Sequence, residues 1–145
     1  MSEIMNKDYM KNINKFIQML KLLNAEYKKY NKLFKKGYVC EKNFKIDHFE
    51  HDGVEYLLTT NFEYSSIVMK LTSMDGETLI RIKIFDRMYF GQRDRWVDFV
   101  IKTSIKNLYN IPSSQYVDSL IVRKAFGIKG YLDYYRIEYT NKNII

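Results

Sequence analysis

The chain has 145 residues, long enough for one hydrophobic core and too short for two comfortable ones, so we predict a single domain over residues 1–145. Hydrophobic residues make up 46% of the sequence and aromatic residues 16%, which excludes wholesale disorder because burying this apolar area offsets the entropy cost of folding. The longest apolar runs span only three residues, which predicts no membrane-spanning helix and no membrane partner, and the early lysines argue against a secretion signal.

The formal net charge of +7 is unevenly distributed along the chain. Residues 1–36 carry nine lysines against three acidic residues, residues 37–80 carry three lysines against eight acids, and residues 81–145 carry twelve basic against six acidic residues. Basic ends therefore flank an acidic middle, which favours a composite partner over bare nucleic acid. The single cysteine, Cys40, cannot form an internal disulfide, which predicts a reducing, cytoplasmic location and an ordinary free thiol.

A long amphipathic helix is predicted from about Asp8 to Lys35, with Gly37 as its stop. Its apolar residues recur at steps of three and four. They are Ile13, Phe16, Leu20, Leu23, Tyr27, Tyr30 and Phe34. The stripe is wider than a coiled-coil seam, so packing across a sheet is favoured over homodimerisation through this helix.

Four strands are predicted next, as an antiparallel meander. Asp52-Gly53 signals the first hairpin and the Ser73–Gly76 segment the second, since Gly supplies the positive φ that tight turns require. In the fourth strand Ile80, Ile82 and Ile84 should face one side, and Arg81 and Lys83 the other. The predicted strands are Phe44–His48, Val54–Thr60, Phe62–Leu71 and Glu77–Phe85.

The second half of the chain is predicted to begin with a charged loop, Asp86–Arg95. A helix capped by Asp94 should follow, because Val97, Ile101, Ile105 and Leu108 recur at helical spacing, with Lys102 and Lys106 one turn apart on it. A third helix from Ser113 or Ser114 to Phe126, closed by Gly127, precedes a final strand over Tyr131–Tyr139. The predicted class is α+β, with the order α-ββββ-α-α-β and an antiparallel sheet of four to five strands.

One cluster has the residue types of a metal site. His48 and His51 lie among Asp47, Glu50 and Asp52, and a metal-dependent enzyme built on this region is one hypothesis. On a strand, however, His48 and Glu50 share a face while His51 falls at the turn, a spacing that matches no established ligand pattern. A solvated hairpin tip is favoured, so no metal and no cofactor are predicted.

The Arg87–Trp96 segment is the most unusual in the sequence, because it concentrates arginines and aromatic residues around Gly91. Arginine can donate bidentate hydrogen bonds to phosphate or carboxylate, and aromatic side chains can stack on bases or fill a partner's pocket. In the alternative interpretation Phe90 and Trp96 anchor the loop in the core, while Asp86 and Asp94 pair with the arginines. Together with basic residues elsewhere, the predicted binding residues are Arg81, Lys83, Arg87, Tyr89, Phe90, Gln92, Arg93, Arg95, Arg123 and Lys124.

The sequence has no phosphate loop, dinucleotide-binding glycine pattern, serine elbow or paired-cysteine zinc motif, so we predict a binding protein that is not an enzyme. Its size and composition resemble those of small accessory proteins of phages and mobile elements. The favoured function is to inhibit or modulate a host nucleic-acid-handling or defence complex through a basic, aromatic surface. The alternative is a protein–protein module that oligomerises or docks through the first helix and the tyrosine-rich end, which contains Tyr131, Tyr134, Tyr135 and Tyr139.

Overall fold

A long helix opens the fold. The computed structural model describes residues 3–35, 44–63, 66–128 and 133–145, and its first helix, α1, runs from Glu3 to Lys35, five residues longer at the start than predicted. The predicted apolar stripe is buried from Ile13 to Tyr30, where it packs into the chain's own core. The apolar stripe of α1 therefore packs against the sheet, as its width predicted. The proposed stop at Gly37 and the thiol of Cys40 lie outside the described residues.

The sheet confirms the α+β class, with more strands than predicted. Within the described residues six strands lie in the order in which they occur along the chain; the first five are antiparallel, and the last is parallel to the fifth. None of the helices in this part of the chain combines the length and the apolar character needed to cross a bilayer. The strands are β1 (Phe44–His51), β2 (Val54–Glu63), β3 (Ser66–Ser73), β4 (Thr78–Tyr89), β5 (Gln92–Lys102) and β6 (Asp133–Thr140).

Two short helices connect β5 to β6. The first, α2, spans Thr103–Leu108, and the second, α3, spans Gln115–Phe126. Ser114 caps α3, its side chain accepting a hydrogen bond from the Val117 N–H, and Gly127 ends the helix with a left-handed φ of 65°. Both features confirm the sequence prediction. Because the crossover carries α3 to the side of the sheet that holds α1, the two helices pack together.

The predicted helix beginning at Val97 is wrong. The chain stays extended through Lys102, and only Thr103–Leu108 is helical. Strand alternation explains the observed structure better, because Val97, Phe99 and Ile101 all point to one side and meet the isoleucines of β4 in the core. Asp94 is accordingly a strand residue, and Lys102 and Lys106 belong to different elements. The predicted third strand is also divided, since Phe62 ends up in β2 and β3 begins at Ser66.

The predicted Asp86–Arg95 loop is instead the tip of the β4–β5 hairpin. The two strands are paired from Ile80↔Ile101 to Tyr89↔Gln92, and Phe90 and Gly91 form the turn with φ values of 48° and 75°. Positive φ at both central residues is the geometry that matches the twist of a two-residue hairpin. The predicted Asp52-Gly53 turn has the same form, with φ values of 53° and 78°.

The two faces of the sheet differ in cover. The inner face packs against α1 and α3 and carries the buried isoleucines Ile80, Ile82 and Ile84, as predicted. The outer face carries the alternate residues, including Arg81 and Lys83. Within the described residues no helix packs on the outer face, although Val68, Val100 and Lys102 on this face are buried.

Candidate nucleic-acid interface

Three aromatic side chains form a row across neighbouring strands of the outer face. Phe85 on β4 is paired in register with Trp96 on β5, which is paired with Tyr134 on β6. The rings of Trp96 and Tyr134 lie 5.5 Å apart with a tilt of 34°. Their residues are 47% and 46% exposed, so each keeps about half of its surface available to a partner. We call Phe85, Trp96 and Tyr134 the aromatic row.

The alternation of the strands holds this row away from the core. On β5, Trp96 lies between Arg95 and Val97, both of which are buried on the inner face. On β6, Tyr134 is exposed while the next residue, Tyr135, packs against the core. Because successive side chains of a strand point to opposite faces, burying Val97 fixes Trp96 on the outer face.

A charged row lies two residues further along the same strands, about 7 Å from the aromatic row at the strand rise. Its members, paired in register, are Lys83, Asp98 and Arg136. Arg136 donates two hydrogen bonds to Asp98, from Nε to Oδ1 at 2.9 Å and from Nη2 to Oδ2 at 3.0 Å. Lys83 Nζ lies 3.7 Å from a carboxylate oxygen of Glu63, and both of those side chains are half exposed. Two cations, with Asp98 between them, therefore lie along one side of the aromatic row.

The chain's last described residues run back over the other end of the outer face. Lys102 Nζ donates to the backbone carbonyl of Asn141 at 3.0 Å, and Arg81 Nη1 donates to the carbonyl of Ile145 at 3.3 Å. Arg81 also lies 3.9 Å from Asp98. Val68, which points to this face, lines a small cavity beside Ile145. The end of the face that carries the aromatic row is the end that this segment leaves uncovered.

Arg95 supports the aromatic row from the inner face. Its residue is only 5% exposed, and its Nη2 donates to the carbonyl of Gly127 at 3.2 Å. Its Nε lies 3.4 Å from Oδ1 of Asp133, the residue that precedes Tyr134. The guanidinium thus ties β5 to β6 and to the end of α3, directly behind the paired rings.

The structure separates the predicted binding residues into several groups. Lys83 lies on the outer face two residues from the aromatic row, whereas Arg81 lies on the same face beside the C-terminal segment. Phe90 is 89% exposed at the hairpin tip, where Gln92 is exposed as well. Arg95 is buried in its ion pair. Arg123 and Lys124 are exposed in the last turn of α3, on the helical side of the sheet. The side chains of Arg87, Tyr89 and Arg93 lie outside the described part of the chain.

The interpretation of Phe90 and Trp96 as core anchors is wrong, since both are substantially exposed. Sequence reasoning also missed Phe85 and Arg136 as members of the surface, and it assigned Tyr134 only to a general tyrosine-rich end. The signal that could have found them is the two-residue alternation of β5. Once Val97 and Phe99 are taken as inward-facing strand residues, Trp96 must face outward.

The two histidines do not come together. His48 is exposed on the outer face, whereas His51 is buried on the inner face with its Nδ1 3.2 Å from the hydroxyl of Tyr109. Burial lowers the pKa of His51, and burial raises the pKa of Tyr109 to about 12. The phenol therefore stays protonated at neutral pH and shares a hydrogen bond with the imidazole, whose direction is set by the tautomer of His51. The described residues contain no group of three side chains that could hold a metal ion.

Comparisons with known proteins add no identification. No family model, curated protein or solved structure shows significant similarity to the chain.

Proposed function

We propose that the aromatic row binds single-stranded nucleic acid, with unpaired bases stacking on Trp96 and Tyr134. The observation that carries this proposal is the pairing of two half-exposed rings on adjacent strands of an open sheet face. Unpaired bases stack on exposed aromatic side chains whatever their sequence, because every base has a π-face. A duplex already stacks its bases on one another, so it gains much less from such a surface.

The flanking cations suit the sugar–phosphate backbone of the bound strand. Lys83 and Arg136 lie one strand repeat from the rings; the carboxylate partner of Lys83, Glu63, is half exposed, whereas Asp98, the partner of Arg136, is mostly buried. An exposed ion pair such as Lys83–Glu63 is worth about 0–1 kcal/mol, so a phosphate can replace the Glu63 carboxylate at little cost, while Arg136 stays hydrogen-bonded to Asp98 and adds its positive charge beside the rings. The net charge of +7 adds a long-range attraction for polyanions. Binding should accordingly weaken as salt rises.

In this proposal the chain acts by binding, without catalysing a reaction on the strand. Its setting is that of a cytoplasmic accessory protein of a phage or mobile element that engages the nucleic acid of a host nucleoprotein or defence complex. The uneven charge along the chain supports a partner of more than one kind. Docking through the tyrosine-rich end is the competing function, and Tyr134 belongs to both hypotheses.

The test measures binding by fluorescence anisotropy, with labelled oligonucleotides of about 12 nucleotides that are single-stranded or in a duplex. This length is sufficient because a sheet surface of this size covers only a few nucleotides. We expect tighter binding of the single strands, and Trp96→Ala or Tyr134→Ala should weaken that binding about tenfold. Tyr116→Ala is the matched control, because Tyr116 is an exposed aromatic residue on α3. Equal effects of all three substitutions, or a preference for the duplex, would overturn the proposal.

A further inference from the structure

A second surface lies at one end of the sheet, where the β1–β2 turn, the β3–β4 turn and α2 meet. These elements line a groove that is open to solvent and has a volume of about 770 Å³. Its apolar residues include Val54 and Met74 from the two turns and Leu108 from the end of α2, all of them exposed. Leu79 and Ile105, which are buried, form the deeper part. Clustered exposed apolar side chains of this kind mark interaction sites.

The charged residues of this groove are acidic. Glu55 and Asp75 line it, and no lysine or arginine is among its described lining residues. Glu50 lies directly opposite Glu55 in the β1–β2 ladder, and both are exposed. Like charges at facing positions of an antiparallel pair repel each other. The groove therefore has an apolar floor and a negatively charged rim. A cationic partner would relieve the repulsion between Glu50 and Glu55.

The walls of the groove offer few free backbone N–H and C=O groups with which an extended peptide could form hydrogen bonds. In the β3–β4 turn the Ser73 N–H donates to the carbonyl of Glu77 at 2.8 Å, and the Gly76 N–H donates to the carbonyl of Ser73 at 3.0 Å. The β1–β2 connection is a two-residue turn whose flanking residues, His51 and Val54, are already paired. A partner must therefore bind through its side chains, as a helix in a groove does.

We propose that this groove docks a basic amphipathic helix of a protein partner. Apolar side chains at one face of that helix would contact Val54, Met74 and Leu108, and flanking lysines or arginines would meet Glu55 and Asp75. This site is separate from the aromatic row and does not depend on the proposed nucleic-acid binding. Together the two surfaces would let the chain engage a protein and a nucleic-acid strand in one assembly.

The probe is a labelled peptide of about 14 residues with leucines at i, i+3, i+4 and i+7 and lysines elsewhere, and its anisotropy is measured against the full chain. A peptide with glutamate in place of every lysine and a peptide of scrambled order are the comparisons. We expect the lysine peptide to bind at least about tenfold more tightly than either, because only it matches both the floor and the rim.

Two variants of the chain locate the site. Leu108→Ser should weaken binding of the lysine peptide about tenfold, and Glu55→Lys combined with Asp75→Lys should reverse the preference between the lysine and glutamate peptides. Leu22→Ser on α1 is the matched control for an exposed leucine, and thermal unfolding checks that every variant folds. Equal affinity for the three peptides, or no effect of Leu108→Ser, would overturn the proposal.

Two further outcomes assign the groove to another occupant. A concentration-dependent dimer in sedimentation that Leu108→Ser abolishes would show that a second copy fills it, which contradicts the proposed partner. Loss of peptide binding on Trp96→Ala would place the peptide on the outer face instead. Because the groove is tested without nucleic acid, its failure is distinguishable from failure of the proposed function.

Discussion

The guanidinium of Arg95 contacts the carboxylate of Asp133 directly behind the paired rings of Trp96 and Tyr134, with Nε 3.4 Å from Oδ1. Each ion-pair residue immediately precedes one of the rings in the chain. The pair therefore fixes the relative position of β5 and β6 where the candidate site needs it. Arg95 therefore serves the fold, although its sequence context suggested a binding residue.

Asp133→Asn should destabilise the protein by about 1–3 kcal/mol, because it removes the carboxylate that contacts the buried guanidinium of Arg95. Urea unfolding measures the change. Glu63→Gln is the control, since it removes an exposed pair with Lys83 and should cost no more than about 1 kcal/mol. Similar costs for the two substitutions would contradict the role given to Arg95.

Lys83→Gln should reduce the salt dependence of oligonucleotide binding, because one phosphate contact is lost. For single strands the slope of log affinity against log salt should fall by about 0.7 between about 50 and 200 mM salt. Lys124→Gln provides the comparison, since Lys124 is exposed on the helical side of the molecule. If Lys124→Gln changes the slope and Lys83→Gln does not, the strand binds the helical side.

His51 should make the fold sensitive to acid. Burial lowers its pKa in the folded chain, so the unfolded chain binds more protons below about pH 6.5. The stability contributed by His51 is therefore present above that pH and is lost as the pH falls through the folded value. In the protonated ring Nδ1 can only donate to the Tyr109 hydroxyl oxygen.

Urea midpoints measured from about pH 7.5 to pH 5 test this dependence. His51→Gln should flatten the plot of urea midpoint against pH relative to that of the unsubstituted protein. His48→Gln, which removes the exposed histidine on the opposite face of β1, should leave the curve in place. A curve that His51→Gln does not alter would show that other groups cause the acid sensitivity.

Thr60→Val should stabilise the protein by about 1 kcal/mol. Thr60 is fully buried, and its hydroxyl oxygen has no hydrogen-bond partner among the described residues. Valine keeps the branched shape that a strand favours and removes the cost of burying that polar group. Thermal unfolding, with Thr59→Val as a partly exposed control, measures the difference; a loss of stability in Thr60→Val would mean that the hydroxyl is satisfied in solution.

Much of the fold could be predicted because local signals agree with the tertiary structure. The apolar stripe of α1, the Asp52-Gly53 turn and the cap residues Ser114 and Gly127 each act over a few residues, and each prediction was confirmed. The β5 strand was mistaken for a helix because Val97, Ile101, Ile105 and Leu108 have helical spacing by coincidence. Pairing with β4 and β6 keeps that segment extended, and pairing depends on distant residues.

The candidate site was harder to predict for a related reason. Phe85, Trp96 and Tyr134 are brought together by strand register, including a parallel pair formed after a helical crossover. No local pattern connects them. The sequence also did not show which residues of this segment are buried. Arg95 lies in the same charged, aromatic segment as the exposed residues around it, and yet its side chain is inside the fold.

The central claim is that unpaired bases stack on Trp96, which is the sequence's one tryptophan. Its intrinsic fluorescence is therefore a direct reporter of this site. Titration with a single-stranded oligonucleotide should quench that emission, and raising the salt should shift the quenching curve to higher oligonucleotide concentration. Emission from Trp96 that stays unchanged while anisotropy shows the oligonucleotide to be bound would contradict the account.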